Sequence, residues 1–393
     1  MKMTTILSLT IASILLSSCK PEGQAVSEGV SVDNSYVMIG SDDRIATKNG
    51  NLESSLSRKV GQIRATLELP NGEYADTTCS ATMIAKNHII TAAHCFIVRE
   101  LNNALLTDAY FYPGALDENN VPNGRFPLIK SFNPLNYQQV PTLDNLGFDI
   151  GVAKLGQNSE GKDAGDIVGW MSMWGQKEIA EELSSTIGYP GDKDALTQYY
   201  ENNCSVAPYI GSSLEVDCDV YRGQSGSALI RYSKEHKLNY IFGVINAESA
   251  YQNYGARITS DRQKIISAII KENYDSAKFE EKWIENNHTH SKIINLFVKN
   301  DCAKDLYSAV NFKDIDNTWK TIGFYLVKSN QTMHVGQTTN GVFYFAGSYT
   351  QGRSYVNRRD IVKDLPDDRG NNIELEKSNV SKYGDFVKTF DCN

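Results

Sequence analysis

Long hydrophobic runs are almost absent from this sequence, which limits how the chain can contact a membrane. One uncharged apolar stretch follows Lys2 and extends from Met3 to Leu16. It is too short for a transmembrane helix and is typical of a secretion signal. Because no later run is long and apolar enough to span a bilayer, we expect any membrane attachment to come from this end of the chain.

Basic runs and metal-binding spacings are also missing. The formal net charge is −8, and no cluster of Lys and Arg is of the kind that holds a phosphate backbone, so nucleic acid is not an expected partner. No Cys-x-x-Cys spacing occurs and the six histidines are scattered. We therefore expect no metal site and no cofactor.

The leader ends in Leu16-Ser17-Ser18-Cys19, which is similar to the lipobox of bacterial lipoproteins. This pattern predicts a signal peptide over residues 1–19 and a lipid on Cys19, and the alternative is an ordinary signal cut nearby. Residues 20–36 are polar, small and poor in aromatics, as in a tether or pro-segment. We expect an exported protein, anchored to the cell envelope by lipid or secreted after processing.

A serine between glycines is the first candidate for catalytic chemistry. The string Gly223-Gln224-Ser225-Gly226 precedes the apolar run Ala228 to Ile230. A serine hydroxyl is a poor nucleophile by itself, so the hypothesis requires a histidine base and a buried carboxylate that orients it. Ser225 would then attack a carbonyl carbon, and the N–H groups of Gly223 and Ser225 would bind the oxyanion.

Both required partners have candidates upstream. His94 follows a strand-like run from Met83 to Ile90, and Asp149 stands at the head of another run that ends at Leu155. We predict that His94 takes and returns the proton. Asp149 would hold the tautomer of the imidazole.

Two other residues compete for these roles. His88 lies on the same strand-like run as His94, and we interpret it as a packed or surface histidine. Asp144 is the rival acid, but it precedes the turn-like Asn145 and lacks the apolar run that would bury it.

From Val37 to about Asn273 the chain resembles chymotrypsin-like serine proteases, in particular the glutamyl endopeptidase branch. The candidates occur in the order His, Asp, Ser, which is the chymotrypsin order. Three further segments match that branch in order: Val37-Met38-Ile39-Gly40-Ser41-Asp42-Asp43-Arg44, Gly188-Tyr189-Pro190-Gly191-Asp192-Lys193 and Gly255-Ala256-Arg257-Ile258-Thr259. The resemblance implies a mature amino terminus near Val37 and an acyl-enzyme mechanism.

The resemblance and the strand-like segments together predict an all-β fold. Residues 37–275 would form a two-barrel chymotrypsin-like domain that ends in a helix capped by Ser260 or Asp261. Residues 276–393 would form a small β-rich accessory module after a polar helical connector. In this module Asn340-Gly341 predicts a hairpin turn, and His288 and His290 are expected to be solvated.

Cysteine usage fits an exported chain. With Cys19 assigned to lipid, six cysteines remain, which is an even number. The hypothesis pairs Cys79 with Cys95 around the histidine, as in the resembled family, Cys204 with Cys218 near a hairpin, and Cys302 with Cys392 in the accessory module. The first bridge would stabilise the fold by about 3 kcal/mol.

The predicted substrate pocket departs from the resembled branch. Relatives bind a substrate carboxylate with a histidine and a hydroxyl residue, whereas Ile245 and Val220 occupy these places and Asn246 follows. We therefore expect no strict preference for glutamate. Asp219 lies at the spacing where trypsin-like enzymes place the acid that receives Lys or Arg, and the alternative is a surface or hairpin residue.

Activation is expected to differ from that of trypsin. Gln224 occupies the place where trypsin-type zymogens carry an aspartate that binds the newly cut amino terminus. The resemblance offers activation through Val37 near the substrate pocket instead.

These observations predict a serine endopeptidase that acts on proteins or peptides as a monomer. The alternative from a different class is a catalytically idle, protease-like lipoprotein that serves as a binding module. An intact set of Ser225, His94 and Asp149 argues against an idle protein.

Overall fold

The structure is a computed structural model, and it describes residues 38–391 with internal gaps. The gaps are residues 48–53, 69–73, 99–100, 118–119, 139–142, 159, 176–181, 194–196, 249–251, 291–292, 315–317, 351–352, 356–360, 367–371 and 381–383. The proposed signal peptide, Cys19 and Val37 therefore lie outside the described residues, as does Cys392.

Short strands in the first half of the chain close into a six-stranded antiparallel barrel. Its strands are β2 (Val60–Glu68), β3 (Tyr74–Ala85), β4 (His88–Thr91), β7 (Thr107–Pro113), β8 (Phe126–Pro134) and β9 (Gly151–Leu155). They pair in the order β8-β7-β2-β3-β4-β9, and β9 returns to β8. Along β2 the side chains of Ile63, Ala65 and Leu67 are buried while Arg64 and Thr66 are partly exposed, which is the alternation expected of a strand with one core face.

The second half repeats this construction. Its strands are β11 (Glu182–Gly188), β12 (Tyr199–Pro208), β13 (Ser213–Val216), β14 (Ala228–Ser233), β15 (Leu238–Glu248) and β16 (Asn253–Arg257). They pair in the order β12-β11-β14-β15-β16-β13, and β13 returns to β12. The predicted all-β, two-barrel fold is confirmed.

Short elements connect and extend the barrels. They are β1 (Ile45–Ala46), α1 (Ser54–Ser57), β5 (Ile97–Val98), β6 (Ala104–Leu105), α2 (Ala164–Val168) and β10 (Ser172–Met173). β1 adds to the second barrel beside β12, and β10 adds beside β15.

The predicted helix after the second barrel is α3 (Ser260–Ile270). Ile265, Ile266 and Ile269 share one face of this helix and are buried in the core between the barrels. The cap is Thr259, whose hydroxyl oxygen accepts a hydrogen bond from the Arg262 N–H at 3.2 Å. The prediction of Ser260 or Asp261 as the cap was therefore wrong by one or two residues.

A strand replaces most of the predicted helical connector. β17 (Trp283–Asn287) pairs antiparallel with β8 of the first barrel, from Trp283 opposite Pro134 to Asn287 opposite Lys130. Trp283 is 3% exposed and joins the core between the barrels. The polar residues of this segment show no strand pattern, and the strand forms because of a partner that lies about 150 residues away in sequence.

His288 and His290 follow β17. The prediction that they are solvated was wrong. His288 is buried, with Nδ1 3.1 Å from the Leu106 carbonyl oxygen and Nε2 2.9 Å from the Ser131 hydroxyl oxygen. Nε2 of His290 lies 2.8 Å from the Leu128 carbonyl oxygen. Burial lowers the pKa of His288 from its ordinary value. Both rings therefore fasten the connector to the first barrel.

The remaining chain forms two further sheets. One contains β18 (Ile294–Asn300), β21 (Thr332–Thr338) and β26 (Gly384–Phe390); the other contains β19 (Leu306–Lys313), β20 (Trp319–Val327), β22 (Val342–Thr350), β23 (Arg353–Tyr355), β24 (Ile361–Pro366) and β25 (Asn372–Asn379).

The predicted Asn340-Gly341 hairpin is wrong, because β21 pairs with β18 while β22 pairs with β19 and β25.

One ion pair joins these sheets to the first barrel. Arg125, just before β8, pairs with Asp385 on β26. Its guanidinium lies over the rings of Tyr110 and Phe297, 4.1 and 4.6 Å from their centroids. Arg125 therefore contacts both parts of the chain.

Two of the three hypothesised disulfides are present. Cys79–Cys95 joins β3 to the turn that bears His94, and Cys204–Cys218 joins β12 to the segment after β13. The third would need Cys392, which is outside the described residues. Within the described ranges, no helix is both long enough and apolar enough to cross a membrane.

The burial of Trp283 leads to a stability prediction. Trp283→Ala should lower the free energy of unfolding by about 3–5 kcal/mol, because it leaves a cavity between β17, α3 and the barrels. Trp319→Ala is the control, since Trp319 is 43% exposed and its loss should cost about 1 kcal/mol or less. Denaturant unfolding of both variants tests this; equal losses would show that β17 adds little to the core.

Candidate active site

Pairing of two strands brings His94 and Asp149 together. His94 lies on a 3-10 turn just after β4, and Asp149 lies just before β9, which pairs with β4 through Thr91 and Gly151. The His94 backbone N–H donates to Asp149 Oδ1 at 2.9 Å, and Nδ1 lies 2.7 Å from Oδ2. Asp149 is 8% exposed. With Nδ1–H donating to the carboxylate, Nε2 is the nitrogen that can accept a proton.

Contacts with the first barrel hold the turn that bears Ser225. The Ser80 N–H of β3 donates to the Ser225 carbonyl oxygen at 2.8 Å. The sulfur of Cys95, the residue after His94, lies 3.8 Å from the same oxygen. Gly226 has φ +82°, and a Cβ there would lie 1.8 Å from the Thr91 hydroxyl oxygen. The serine turn therefore fits against β3 and β4 only because Gly226 has no side chain.

The proposed oxyanion turn is fixed by Ser80, by its close approach to Tyr189 and by hydrogen bonds of its own backbone. Gly223 has φ +92°, and a Cβ there would lie 2.4 Å from the Tyr189 carbonyl oxygen. The Ser80 hydroxyl donates to the Gly223 carbonyl oxygen at 2.8 Å and accepts from the Tyr189 N–H at 2.9 Å. The N–H groups of Gln224 and Gly226 donate within the second barrel, to Tyr221 and Ile245. Along the turn, the proposed oxyanion donors Gly223 and Ser225 each directly precede one of these two residues, so the N–H groups of the turn alternate between the proposed oxyanion site and the second barrel.

Asn246 lies behind Asp149. Its Nδ2 donates to the carbonyl oxygens of Leu146 and Asp149, at 2.6 and 3.2 Å, and the residue is 3% exposed. A strand of the second barrel thus supports the segment that presents Asp149. Arg262 of α3 supports the same segment by donating to the Gly147 carbonyl oxygen at 2.6 Å. The sequence assigned Asn246 to the substrate pocket, and these contacts to Asp149 were not predicted.

The Asp219 carboxylate is buried and already holds hydrogen bonds on both oxygens. Its Oδ1 accepts from the Ile39 N–H at 2.8 Å and its Oδ2 accepts from the Asp43 N–H at 2.9 Å, and the residue is 1% exposed. Both carboxylate oxygens therefore bind the amino-terminal segment. This arrangement does not support the hypothesis that Asp219 receives a substrate Lys or Arg. Val220 and Ile245, the other predicted pocket residues, pack in the core of the second barrel.

Glu201 lies directly behind Asp219. Its Oε2 accepts from the Asp219 N–H at 2.7 Å. Burial raises the pKa of Glu201 to about 7, the hydrogen bond from Asp219 opposes the shift, and the nearby carboxylates of Asp219 and Asp217 add to it. Glu201 had no role in the sequence analysis.

Arg44 is a further contact that the sequence did not predict. Its guanidinium donates to Asp42, Asp192 and Gln224, and its side chain is fully buried. The motif that contains Arg44 was recognised, but its contacts lie 148 and 180 residues away in sequence. Asp42, two residues before Arg44, is the local signal of a paired cation.

Two clusters among the described residues have the atom types of a metal site. They are Cys79 with His94 and Cys95, and Glu201 with Cys204 and Cys218. Each contains both sulfurs of a disulfide. A metal binds the thiolate form of cysteine, which a disulfide does not offer.

The chain matches a known protein family. Residues 56–262, just over half of the chain, match the family described as Trypsin. The chain therefore belongs to the trypsin family, whose members are serine proteases. Comparison with curated proteins found no match.

Three solved structures are similar to part of this chain. A Glu endopeptidase in complex with MPD has 23% identity and a TM-score of 0.47, over 59% of this chain and 99% of its own. Protease Anisep from Arthrobacter nicotinovorans has 18% identity and a TM-score of 0.43, over 53% and 93%. The thermostable serine protease AL20, from an extremophilic microorganism, has 17% identity and a TM-score of 0.43, over 57% and 98%.

The raised pKa of Glu201 predicts a pH dependence of stability. In the unfolded chain Glu201 ionises near pH 4.5, whereas in the fold it stays protonated up to about pH 7. Between these values the folded state binds the extra proton, so this group makes the free energy of unfolding fall as the pH rises. Glu201→Gln removes that dependence and should gain about 1–3 kcal/mol on wild type from pH 4.5 to 7.

Denaturant unfolding at a series of pH values measures this difference. The control is Glu215→Gln on β13, which should follow the wild-type curve. A constant offset between Glu201→Gln and wild type across this pH range would contradict the raised pKa.

Proposed function

We propose that this protein is an exported serine endopeptidase that hydrolyses peptide bonds through an acyl-enzyme. The observation that carries the proposal is the 2.7 Å contact between His94 Nδ1 and Asp149 Oδ2, on a turn that also contacts the Ser225 backbone through Cys95. The pairing of His94 with Asp149, and the contact of the neighbouring Cys95 with the Ser225 backbone, support the proposed triad. Membership of the trypsin family supports the same reaction.

In the proposed mechanism, Ser225 attacks the carbonyl carbon of the scissile bond while His94 Nε2 takes the hydroxyl proton. Asp149 stabilises the imidazolium and fixes its tautomer. The N–H groups of Gly223 and Ser225 stabilise the negative charge on the carbonyl oxygen. His94 then protonates the leaving amine, and water releases the acyl group by the same steps in reverse order.

We propose that the enzyme is related to the glutamyl endopeptidase branch but does not share its strict preference. The three matching segments support the relationship. In sequence, Val220 and Ile245 stand where relatives carry the polar partners of a substrate carboxylate. Both pack in the apolar core of the second barrel and offer a carboxylate no hydrogen bond from their side chains, and burying it without partners costs a few kcal/mol. Because Asp219 is bound by the Ile39 and Asp43 N–H groups, we also expect no preference for Lys or Arg.

Export is part of the proposal. The apolar leader, the lipobox-like string before Cys19 and the tether of residues 20–36 support a lipid-anchored or released form. Disulfides such as Cys79–Cys95 and Cys204–Cys218 are typical of proteins outside the reducing cytosol. We propose protein or peptide substrates and a monomer.

The triad predicts a specific loss of turnover. Ser225→Ala and His94→Ala should each lower kcat by about a million-fold, because these groups act as a unit. Asp149→Asn should lower it by about ten-thousand-fold, because the amide favours the wrong tautomer. Hydrolysis of a peptide substrate measures these values, with circular dichroism to verify folding.

The control for the triad is His236→Ala, since His236 is exposed on the second barrel. Labelling by a fluorophosphonate should occur in wild type and be lost in Ser225→Ala. Wild type that neither labels nor cleaves would favour the idle binding module. Undiminished turnover by His94→Ala would contradict the assignment of the base.

A peptide library varied at the residue before the scissile bond tests the preference. Uncharged residues should be cleaved at least about tenfold faster than Glu, Lys or Arg, because each charge would be buried without a free partner. Asp219→Asn should leave this ranking unchanged and lower stability. Clean cleavage after Glu, or a Lys and Arg preference that disappears in Asp219→Asn, would refute this account of the pocket.

A further inference from the structure

The residue before the nucleophile has an unusual partner. Gln224 is 1% exposed, and its side-chain oxygen accepts from the Arg44 guanidinium at 3.0 Å and from the Tyr221 N–H at 2.9 Å. This is the position at which trypsin-type enzymes bind a newly cut amino terminus. Among the described residues, an internal cation, the Arg44 guanidinium, reaches the same position.

The guanidinium of Arg44 is held on its other sides by two carboxylates. It donates to both oxygens of Asp192, at 3.0 and 2.6 Å, and to both oxygens of Asp42, at 2.9 and 3.1 Å. Burial alone would lower the pKa of Arg44, but the bonds to Asp42 and Asp192 outweigh it and raise the pKa above its ordinary value. Arg44 therefore stays charged at every working pH.

Asp192 connects this cation to the oxyanion turn. The N–H of Gly191, the preceding residue, donates to the Arg222 carbonyl oxygen at 2.6 Å. Arg222 directly precedes Gly223. Arg44 thus reaches the turn on both sides of Gly223. It binds Gln224 directly on one side, and on the other it binds Asp192, whose neighbour Gly191 binds Arg222.

The described part of the amino-terminal segment, from residue 38 onward, is anchored by internal groups. Asp219 accepts from the Ile39 and Asp43 N–H groups, and β1 pairs with β12 through Ile45 opposite Tyr200. All these anchors are internal peptide or side-chain groups. Their formation does not depend on where the chain is cut before residue 38.

We propose that Arg44 is a positioning residue for the oxyanion turn and replaces the amino-terminal ammonium group that shapes this turn in trypsin. The proposal rests on the serine endopeptidase function. It differs from the expectation that Val37 activates the enzyme, because the turn would be formed whether or not Val37 is the first residue. Removal of the guanidinium would leave Asp42 and Asp192 facing each other beside Gln224, and the turn would move.

The test uses Arg44→Met and Arg44→Lys in the full mature chain, with a small ester as substrate. Loss of a correctly placed oxyanion donor typically costs about a hundredfold or more in kcat, so Arg44→Met should lose about a hundredfold in kcat with KM changed less than threefold. Fluorophosphonate labelling should slow in parallel. Arg44→Lys should recover part of the loss, and millimolar guanidinium chloride should partly rescue Arg44→Met.

The matched control is Arg231→Met. Arg231 is another buried arginine of the second barrel, but it donates to Ser184 and Val206. This variant should lose stability while its folded fraction keeps the wild-type kcat. If Arg44→Met does not fold, Gln224→Leu provides the second test, since it removes the acceptor while the Arg44 guanidinium keeps its bonds to Asp42 and Asp192, and it should show the same fall in kcat.

The chain end is tested separately, by comparing proteins that begin at Tyr36 and at Val37. Both should hydrolyse the ester at the same kcat within about twofold. A Tyr36 form that is about a hundredfold slower, a folded Arg44→Met with wild-type kcat, or an equal loss in Arg231→Met would overturn the proposal. Wild type that neither labels nor hydrolyses the ester would overturn the proposed function, and this inference with it.

Discussion

The close approach of the serine turn to the first barrel is the constraint on which the site depends. A Cβ on Gly226 would lie 1.8 Å from the Thr91 hydroxyl oxygen and 2.2 Å from the Ser80 carbonyl oxygen. The Thr91 hydroxyl donates to that Ser80 oxygen at 2.7 Å, so the two groups that exclude a side chain also bind each other. Ser80 then holds the turn with its backbone N–H and, through Gly223, with its hydroxyl. One residue of β3 thereby fixes the nucleophile and the oxyanion turn together.

Features encoded locally could be predicted from the sequence. The strands, α3 and the triad candidates each sit in a short string with its own pattern: the run that ends at Leu155 forms β9, and Ala228 to Ile230 lies in β14. The hairpin at Asn340-Gly341 failed because good turn chemistry says nothing about which strands pair across it. The prediction that His288 and His290 are solvated failed for a similar reason. Their partners on the first barrel are about 160–180 residues away in sequence.

Buried charge is the second kind of feature that the sequence could not resolve. Asp219 fits the spacing of a pocket acid, and only the contacts with Ile39 and Asp43 show that its oxygens are occupied. Arg44 lay in a recognised motif without a role, because a guanidinium acquires a function only through the groups around it. Charged residues at such positions are costly to bury unless they are paired, so their partners carry the information that a local pattern lacks.

The pairing of β17 with β8 sets an order of assembly during synthesis. Residues 130–134 of β8 keep one edge open until Trp283–Asn287 arrive, about 150 residues later. About three quarters of the chain must therefore be synthesised before the first barrel acquires this added strand. Until then, an exposed strand edge invites pairing with other chains. The barrel that carries His94 and Asp149 can close before this strand arrives, but its edge at β8 would stay open until most of the molecule has emerged.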